Sequence, residues 1–179
     1  MISGHKYHKD TFGILQPVLT GGGKWTVRLL RNTKVTAPHI AKTDVFSYKA
    51  QYNHDKKIEM NVDDFHVHIM PIGAVTGGEV IALDYAWGWY TAGDVFPDEL
   101  PNTGTALITL AEGDQYKIKI EEIVTDLTFP EGEGYSSQLF IECTRRNDAQ
   151  DTYAGEFALL DGDSHYPTDR FGSYNEFTD

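Results

Sequence analysis

The sequence contains a single cysteine, Cys143, among its 179 residues. One cysteine excludes an intrachain disulfide and a zinc site built from several thiolates. No apolar run approaches the roughly 18 residues that a membrane-spanning helix needs, and the first ten residues lack the apolar stretch of a signal peptide. These absences predict a soluble protein that is made in the cytoplasm and has no membrane as a partner.

Basic residues are scarce as well. Lysine and arginine number 15 against 27 aspartates and glutamates, which gives a formal net charge of −12. Nucleic acid and anionic lipid repel a surface of this charge, so we expect no direct contact with nucleic acid. The hydrophobic content of 40% and the aromatic content of 12% are, by contrast, sufficient for one ordinary core.

Helical periodicity is nearly absent, and the apolar residues follow the period of two that is typical of strands. This pattern predicts eight strands: Trp25–Arg31, Val45–Ala50, Phe65–Ile72, Glu79–Tyr90, Thr105–Leu110, Gln115–Val124, Ser136–Arg145 and Phe157–Tyr166. The expected fold class is therefore all-β, a β-sandwich with a jelly roll of about eight antiparallel strands as the leading candidate. In the sixth strand the alternation predicts that Tyr116, Ile118 and Ile120 are buried.

Residues 1–24 are predicted to form an extended N-terminal arm, and residues 25–179 a single sandwich domain. The glycines at 21–23 supply a flexible joint between the two. The arm carries five large apolar residues that are candidates for an interface: Phe12, Ile14, Leu15, Val18 and Leu19. Two interpretations remain open, an arm that docks on a neighbouring subunit and a fraying tail.

The segment His66-Val67-His68 is the strongest candidate for chemistry. Two histidines two apart on a strand point to one face and are able to bind a metal, with His165 as a third candidate ligand. Cupin metalloenzymes follow such a pair with a glutamate about four residues later, whereas the stretch 69–73 has no carboxylate. The alternatives are histidines hydrogen-bonded in a sheet or at a subunit interface, and an ion held on an oligomer axis.

The segment 161–166 does not complete a catalytic set. A period of two places Asp161, Asp163 and His165 on one face and Ser164 on the other, which is poor geometry for a Ser–His dyad. The acidic residues are instead expected to pair with His66 and His68 if the two strands are neighbours. No cofactor and no enzymatic activity are predicted.

The strand Tyr85–Tyr90 is rich in aromatic residues. Its row of aromatics fits a core or subunit interface, with Trp87, Trp89 and Tyr90 as interface candidates, and alternatively a platform for stacking sugars. Cys143 is predicted to be a small core residue. Arg145 and Arg146 are expected at a solvated strand end.

The order of the motifs is distinctive. In chain order they are Gln51-Tyr52-Asn53-His54-Asp55-Lys56, Asp64-Phe65-His66-Val67-His68-Ile69-Met70-Pro71, Gly78-Glu79-Val80, Asp84-Tyr85-Ala86-Trp87, Val95-Phe96-Pro97, Arg145-Arg146, Asp151-Thr152-Tyr153-Ala154-Gly155, Ala158-Leu159-Leu160, Asp163-Ser164-His165-Tyr166 and Gly172-Ser173-Tyr174-Asn175-Glu176. This series resembles a group of tailed-bacteriophage virion proteins with a His-x-His strand, an aromatic strand, a DTY segment, a D-x-H-Y and a terminal GS-x-x-E. The resemblance covers residues 45–176.

The sequence is also similar to the wider class of jelly-roll decoration, cement and head-fibre proteins. That similarity implies a homotrimer seated on the major capsid protein, on the exterior of a virion assembled in a bacterial host. It implies a structural function, in which added contacts between capsomers resist the pressure of packaged DNA. A carbohydrate-binding or receptor-binding virion module is the alternative function, and a cupin-like metal enzyme is a third hypothesis.

Overall fold

The computed structural model describes residues 7–12, 14–17, 26–51, 64–91, 93–125, 127 and 138–168, with side chains from residue 26 to residue 164. This part of the chain forms eleven strands: β1 (Tyr7–Phe12), β2 (Ile14–Pro17), β3 (Thr26–Leu29), β4 (Thr36–Ile40), β5 (Val45–Gln51), β6 (Asp64–Pro71), β7 (Val80–Tyr90), β8 (Asn102–Thr109), β9 (Lys119–Thr125), β10 (Gln138–Arg145) and β11 (Phe157–Thr168). None of these described residues belongs to a helix that could cross a membrane.

The strands form two antiparallel sheets. The larger sheet has the order β3-β4-β11-β6-β9, and β1 also pairs with β11. The smaller sheet has the order β2-β5-β10-β7-β8. If β4 to β11 are renumbered as strands 1 to 8, the strand order is 1-8-3-6 in the larger sheet and 2-7-4-5 in the smaller sheet. That is the jelly-roll order, so the predicted fold class is confirmed.

The first strand of the jelly roll is one that the sequence pattern did not predict. β4 contains Pro38, and a proline inside a short apolar run argues against a strand because it cannot donate to a ladder. In the structure, β4 pairs with β11 only through His39 and Ile40. Pro38 therefore lies beyond the end of that ladder, where a missing N–H costs no hydrogen bond to β11.

The described part of the predicted arm pairs with its own chain. β1 lies against the end of β11, with Tyr7 opposite Thr168 and Phe12 opposite Asp163. β2 lies against β5, with Ile14 opposite Lys49. β1 therefore belongs to the larger sheet and β2 to the smaller sheet.

The core lies between the two sheets and is built from the inward positions of both. Phe65, Val67 and Ile69 of β6 face Leu139, Ile141 and Cys143 of β10 within one continuous apolar cluster. The burial of Cys143 confirms its predicted place in the core. The same burial raises the pKa of its thiol far above the ordinary value, because a thiolate loses its hydration there.

Arg145 corrects the expectation of a solvated strand end, because its side chain is completely buried. All five of its N–H donors are used. Two are directed at Asp151, and the other three at the carbonyl oxygens of Ile40, Tyr153 and Gly155. Arg146, the next residue, is the one at the surface, where it pairs with Asp84 and Asp148. Arg145 continues the inward alternation of Leu139, Ile141 and Cys143, but its charge argued for solvent, because the groups that compensate the buried charge meet it only in the fold.

Candidate functional site

Both predicted histidines lie on the outer face of the larger sheet. Phe65, Val67 and Ile69 of β6 are fully buried in the core, so the alternating positions His66 and His68 point away from it. β11 and β9 flank β6 on its two sides. The chemistry at the two histidines is therefore set by the outward residues of these neighbouring strands.

A β-bulge in β9 places Glu122 opposite His66. Phe65 pairs with Val124, and the next residue, His66, pairs with Glu122, so Ile123 is an additional residue without a partner in the ladder. Ile123 and Val124 are both buried, which means that two successive side chains face the core. Glu122 consequently turns outward, and its Oε2 lies 3.8 Å from Nε2 of His66.

The same bulge overturns the predicted faces of this strand. Without it, Ile118 and Ile120 would share the inward face of Val124, as the alternation predicted. With one additional residue, every side chain before the bulge changes face. Ile120 is therefore 62% exposed. Ile118 and Tyr116 come before the first residue of β9 and are exposed as well, so the predicted burial of all three residues is wrong.

A second bulge has the equivalent effect on the other flank of β6. Leu159 pairs with Ile69, but Asp161 pairs with His68 and Asp163 with His66, so the register shifts by one residue at Leu160. Both aspartates thereby face the histidines, as the sequence predicted for neighbouring strands. Oδ1 of Asp163 lies 3.3 Å from Nε2 of His68.

Ser164 lies on the opposite face from these aspartates, as the alternation predicted. Its side chain is buried, and its Oγ is 3.3 Å from the hydroxyl of Tyr48. Burial raises the pKa of Tyr48 to about 12, with Asp163 and Asp161 adding a smaller electrostatic contribution in the same direction. The side chain of His165 lies outside the described residues, although its backbone pairs with Asp10.

The structure brings together a different ligand set from the predicted one. Asp64, His66 and Glu122 each offer one ligand atom, and these three atoms lie within 4.8 Å of one another. Asp64 was detectable in principle, because it precedes His66 by two positions on the same strand. Glu122 was not, since its face depends on the bulge.

The aromatic strand divides between the core and the surface. Tyr85, Trp87 and Trp89 pack against the core from the inner face of β7. Trp87 and Trp89 are partly buried there, and their use as a platform for stacking sugars stays a prediction. Tyr90 lies on the outer face, with its ring centroid 4.8 Å from that of Phe96 and 5.8 Å from that of Phe140.

These three outer rings border an open cleft of about 280 Å³. Phe96 and Phe140 are themselves 4.9 Å apart in an edge-to-face arrangement. The remaining lining residues are polar: Gln51, Thr91, Asp94 and Gln138. The sequence pattern singled out Tyr90 but not Phe96 or Phe140. Phe140 comes close to Tyr90 only through the pairing of β7 with β10, and Phe96 reaches both rings from the loop after β7.

The other interface candidates lie partly or wholly outside the described residues. The structure gives the backbone of Phe12, Ile14 and Leu15 but no side-chain positions. Val18 and Leu19 lie outside the described residues altogether. Their role at an interface stays a prediction.

Comparisons with known proteins identify a distant structural similarity and no family. No family model matches the chain, and no curated protein matches it. Among solved structures, the chain is similar to that of TmCBM61 in complex with β-1,4-galactotriose, with 11% sequence identity and a TM-score of 0.30. The similarity covers 76% of this chain and 72% of TmCBM61.

Proposed function

We propose that this protein is a non-enzymatic structural protein of a bacteriophage virion. In this proposal it is a homotrimeric subunit that decorates the capsid exterior or forms a head fibre, and it binds the major capsid protein. The proposal is motivated by the order of sequence motifs shared with tailed-phage virion proteins. The jelly-roll fold and the net charge of −12 are compatible with a solvent-facing position on a particle.

The observation that best supports this proposal is apolar surface at both ends of the larger sheet. Within the described part of the chain, β3 and β9 end this sheet. Val27 and Leu29 of β3 are 58% and 55% exposed, and Ile118 and Ile120 at β9 are exposed to a similar degree. Apolar side chains on strands that end a sheet favour association with another chain.

The two ends differ in sequence, which bears on the symmetry of the assembly. A contact between the β3 end of one copy and the β9 end of the next is heterologous, and repetition of such a contact closes into a ring when the rotation permits. A ring of three copies matches the threefold positions of a capsid lattice. Each copy would then bury both of its apolar ends.

Light scattering of the purified protein measures its oligomeric state. Addition of the protein to capsids that lack it tests whether it binds the capsid. We expect a trimer that binds these capsids. Leu29→Asp should give a folded monomer, whereas Val95→Asp should remain a trimer, because Val95 is also apolar and is even more exposed but lies in the loop after β7. A wild-type protein that stays monomeric and does not bind capsids would refute the proposal.

A second candidate function is recognition of a glycan receptor by the cleft at Tyr90, Phe96 and Phe140. Exposed rings stack on the apolar faces of sugars, and neighbouring amide and carboxylate groups accept and donate hydrogen bonds to hydroxyls. Gln51, Gln138 and Asp94 supply such groups at the cleft. This candidate keeps the predicted receptor-binding alternative but transfers it from Trp87 and Trp89 to the outer rings.

A further inference from the structure

We infer that Asp64, His66 and Glu122 form a binding site for a divalent transition-metal ion, with Zn²⁺ as the representative ion. The site is independent of the proposed virion function. It differs from the ligand set that the sequence predicted, because it uses one histidine and two carboxylates and includes neither His68 nor His165.

The chemistry of the three side chains supports this assignment. Imidazole nitrogen binds zinc, nickel, copper and iron well, and carboxylate oxygen is a common additional ligand. Two ligands bonded to one zinc ion at about 2.1 Å lie about 3.4 Å apart in tetrahedral geometry. The three ligand atoms are within 4.8 Å of one another, and the His66–Glu122 pair is separated by 3.8 Å. Side-chain rotations that shorten the distances by up to about 1.4 Å would therefore complete the geometry.

The backbone supports the assignment independently. The bulge at Ile123 turns Glu122 away from the core and places it opposite His66. Bulges occur frequently where a strand must redirect a side chain toward a functional site. In an unbulged β9, Glu122 would share the inward face of Val124 and could not reach His66. The irregularity thus creates the ligand set, at the cost of exposing Ile120.

The solvent exposure of the site and the number of its protein ligands indicate how a bound ion would behave. The side chain of Glu122 is 42% exposed, so solvent reaches the site. Three protein ligands leave at least one coordination position open for water. Because the ligands come from β6 and β9, a bound ion would link the end strand of the larger sheet to its interior. Binding should therefore raise the melting temperature.

The test uses untagged full-length protein that has been treated with a chelator and dialysed. Calorimetric titration with Zn²⁺ should show one site per chain, and Zn²⁺ should raise the melting temperature more than Mg²⁺ does. Glu122→Gln and Asp64→Asn should each weaken Zn²⁺ binding at least about tenfold. Replacement of Zn²⁺ by Co²⁺ gives a visible absorption band that should weaken in the same variants.

His68→Asn is the matched control. His68 lies on the same strand and the same face as His66, but it contacts Asp163 and is outside the ligand set. This variant should bind Zn²⁺ with nearly wild-type affinity. His66→Asn should also lose Zn²⁺ binding, and if this variant fails to fold, Glu122→Gln at the exposed ligand still tests the site. Absence of Zn²⁺ binding by the wild type, or an equal loss in His68→Asn and Glu122→Gln, would overturn the assignment.

Discussion

Arg145 and Asp151 form an ion pair that is completely enclosed by the protein. Nε of Arg145 donates to Oδ2 of Asp151 at 2.8 Å, and Nη2 donates to Oδ1 at 3.1 Å. The side chains of both residues are inaccessible to solvent. This bidentate contact joins the end of β10 to the segment before β11. Because both charges are desolvated, each one needs the other for electrostatic compensation. These two motif residues are therefore structural.

Removal of one partner of this pair should be strongly destabilising. Asp151→Ala leaves the Arg145 guanidinium buried without its counter-charge, so we expect a loss of about 3–5 kcal/mol in the free energy of unfolding. Urea denaturation measures it. Asp148→Ala is the control, because Asp148 pairs with the neighbouring Arg146 at the exposed surface. A comparable loss in both variants would contradict the special role of the buried pair.

The raised pKa of Tyr48 should make the folded protein less stable at alkaline pH. Its pKa is about 12 in the folded protein against an ordinary value of 10.0. Between these values the unfolded chain loses the phenolic proton while the folded protein keeps it, so the free energy of unfolding falls by about 1.4 kcal/mol per pH unit. Below the ordinary value both states are protonated and this effect vanishes.

Tyr48→Phe removes this contribution and should flatten the alkaline decline. Burial also raises the pKa values of Tyr90 and Tyr153, so part of the decline should remain in the variant. Denaturation at a series of pH values from neutral to alkaline provides the comparison. Identical slopes for wild type and variant would show that Tyr48 ionises equally in the folded and unfolded states.

The bulge in β9 predicts that two similar substitutions change the free energy of unfolding by very different amounts. Ile123→Asp places a charge in the core and should cost about 3 kcal/mol or more. Ile120→Asp places it at an exposed position and should change the free energy of unfolding by about 0.5 kcal/mol or less. Urea denaturation measures both changes, at a protein concentration at which the two variants have the same oligomeric state. The reverse order of stabilities would mean that the strand is regular and the predicted faces were right.

Glycan recognition at the aromatic cleft is tested by two adjacent positions. Phe96→Ala removes a ring that is 56% exposed, and it should weaken retention on a responsive glycan about 2- to 10-fold without lowering the melting temperature. Val95→Ala, at a neighbour that is 89% exposed and outside the cleft, should leave retention unchanged. A glycan array with the wild type is the first measurement. If no glycan is retained, this function is excluded for the glycans on the array.

Much of the fold was predictable because local alternation reflects burial directly. The apolar positions of β6, β7 and β10 follow a period of two, and the structure places them in the core as expected. β4 escaped prediction because Pro38 interrupts its pattern, and its pairing with only two residues of β11 is a tertiary fact. Arg145 escaped for a related reason, since its burial depends on partners from two other segments, the end of β4 and the connection between β10 and β11.

The candidate site was predictable only in part. Strand periodicity predicted that the aspartates at 161 and 163 share one face, but the bulge at Leu160 decides that this face is the one with the histidines at 66 and 68. The contribution of Glu122 did not follow, because a bulge adds one residue to one strand and is defined only against its partner.

The sequence by itself determined that the chain forms short strands around one apolar core, that no disulfide within the chain holds the fold together, and that the histidines at 66 and 68 share a face. Each of these depends on residue type and spacing along the chain. The tertiary structure decided which carboxylates meet those histidines, which isoleucines of β9 reach solvent, and which aromatic rings gather at the surface. The reason is that a register shift of one residue reverses the faces of a strand, and register is set by the neighbouring strand.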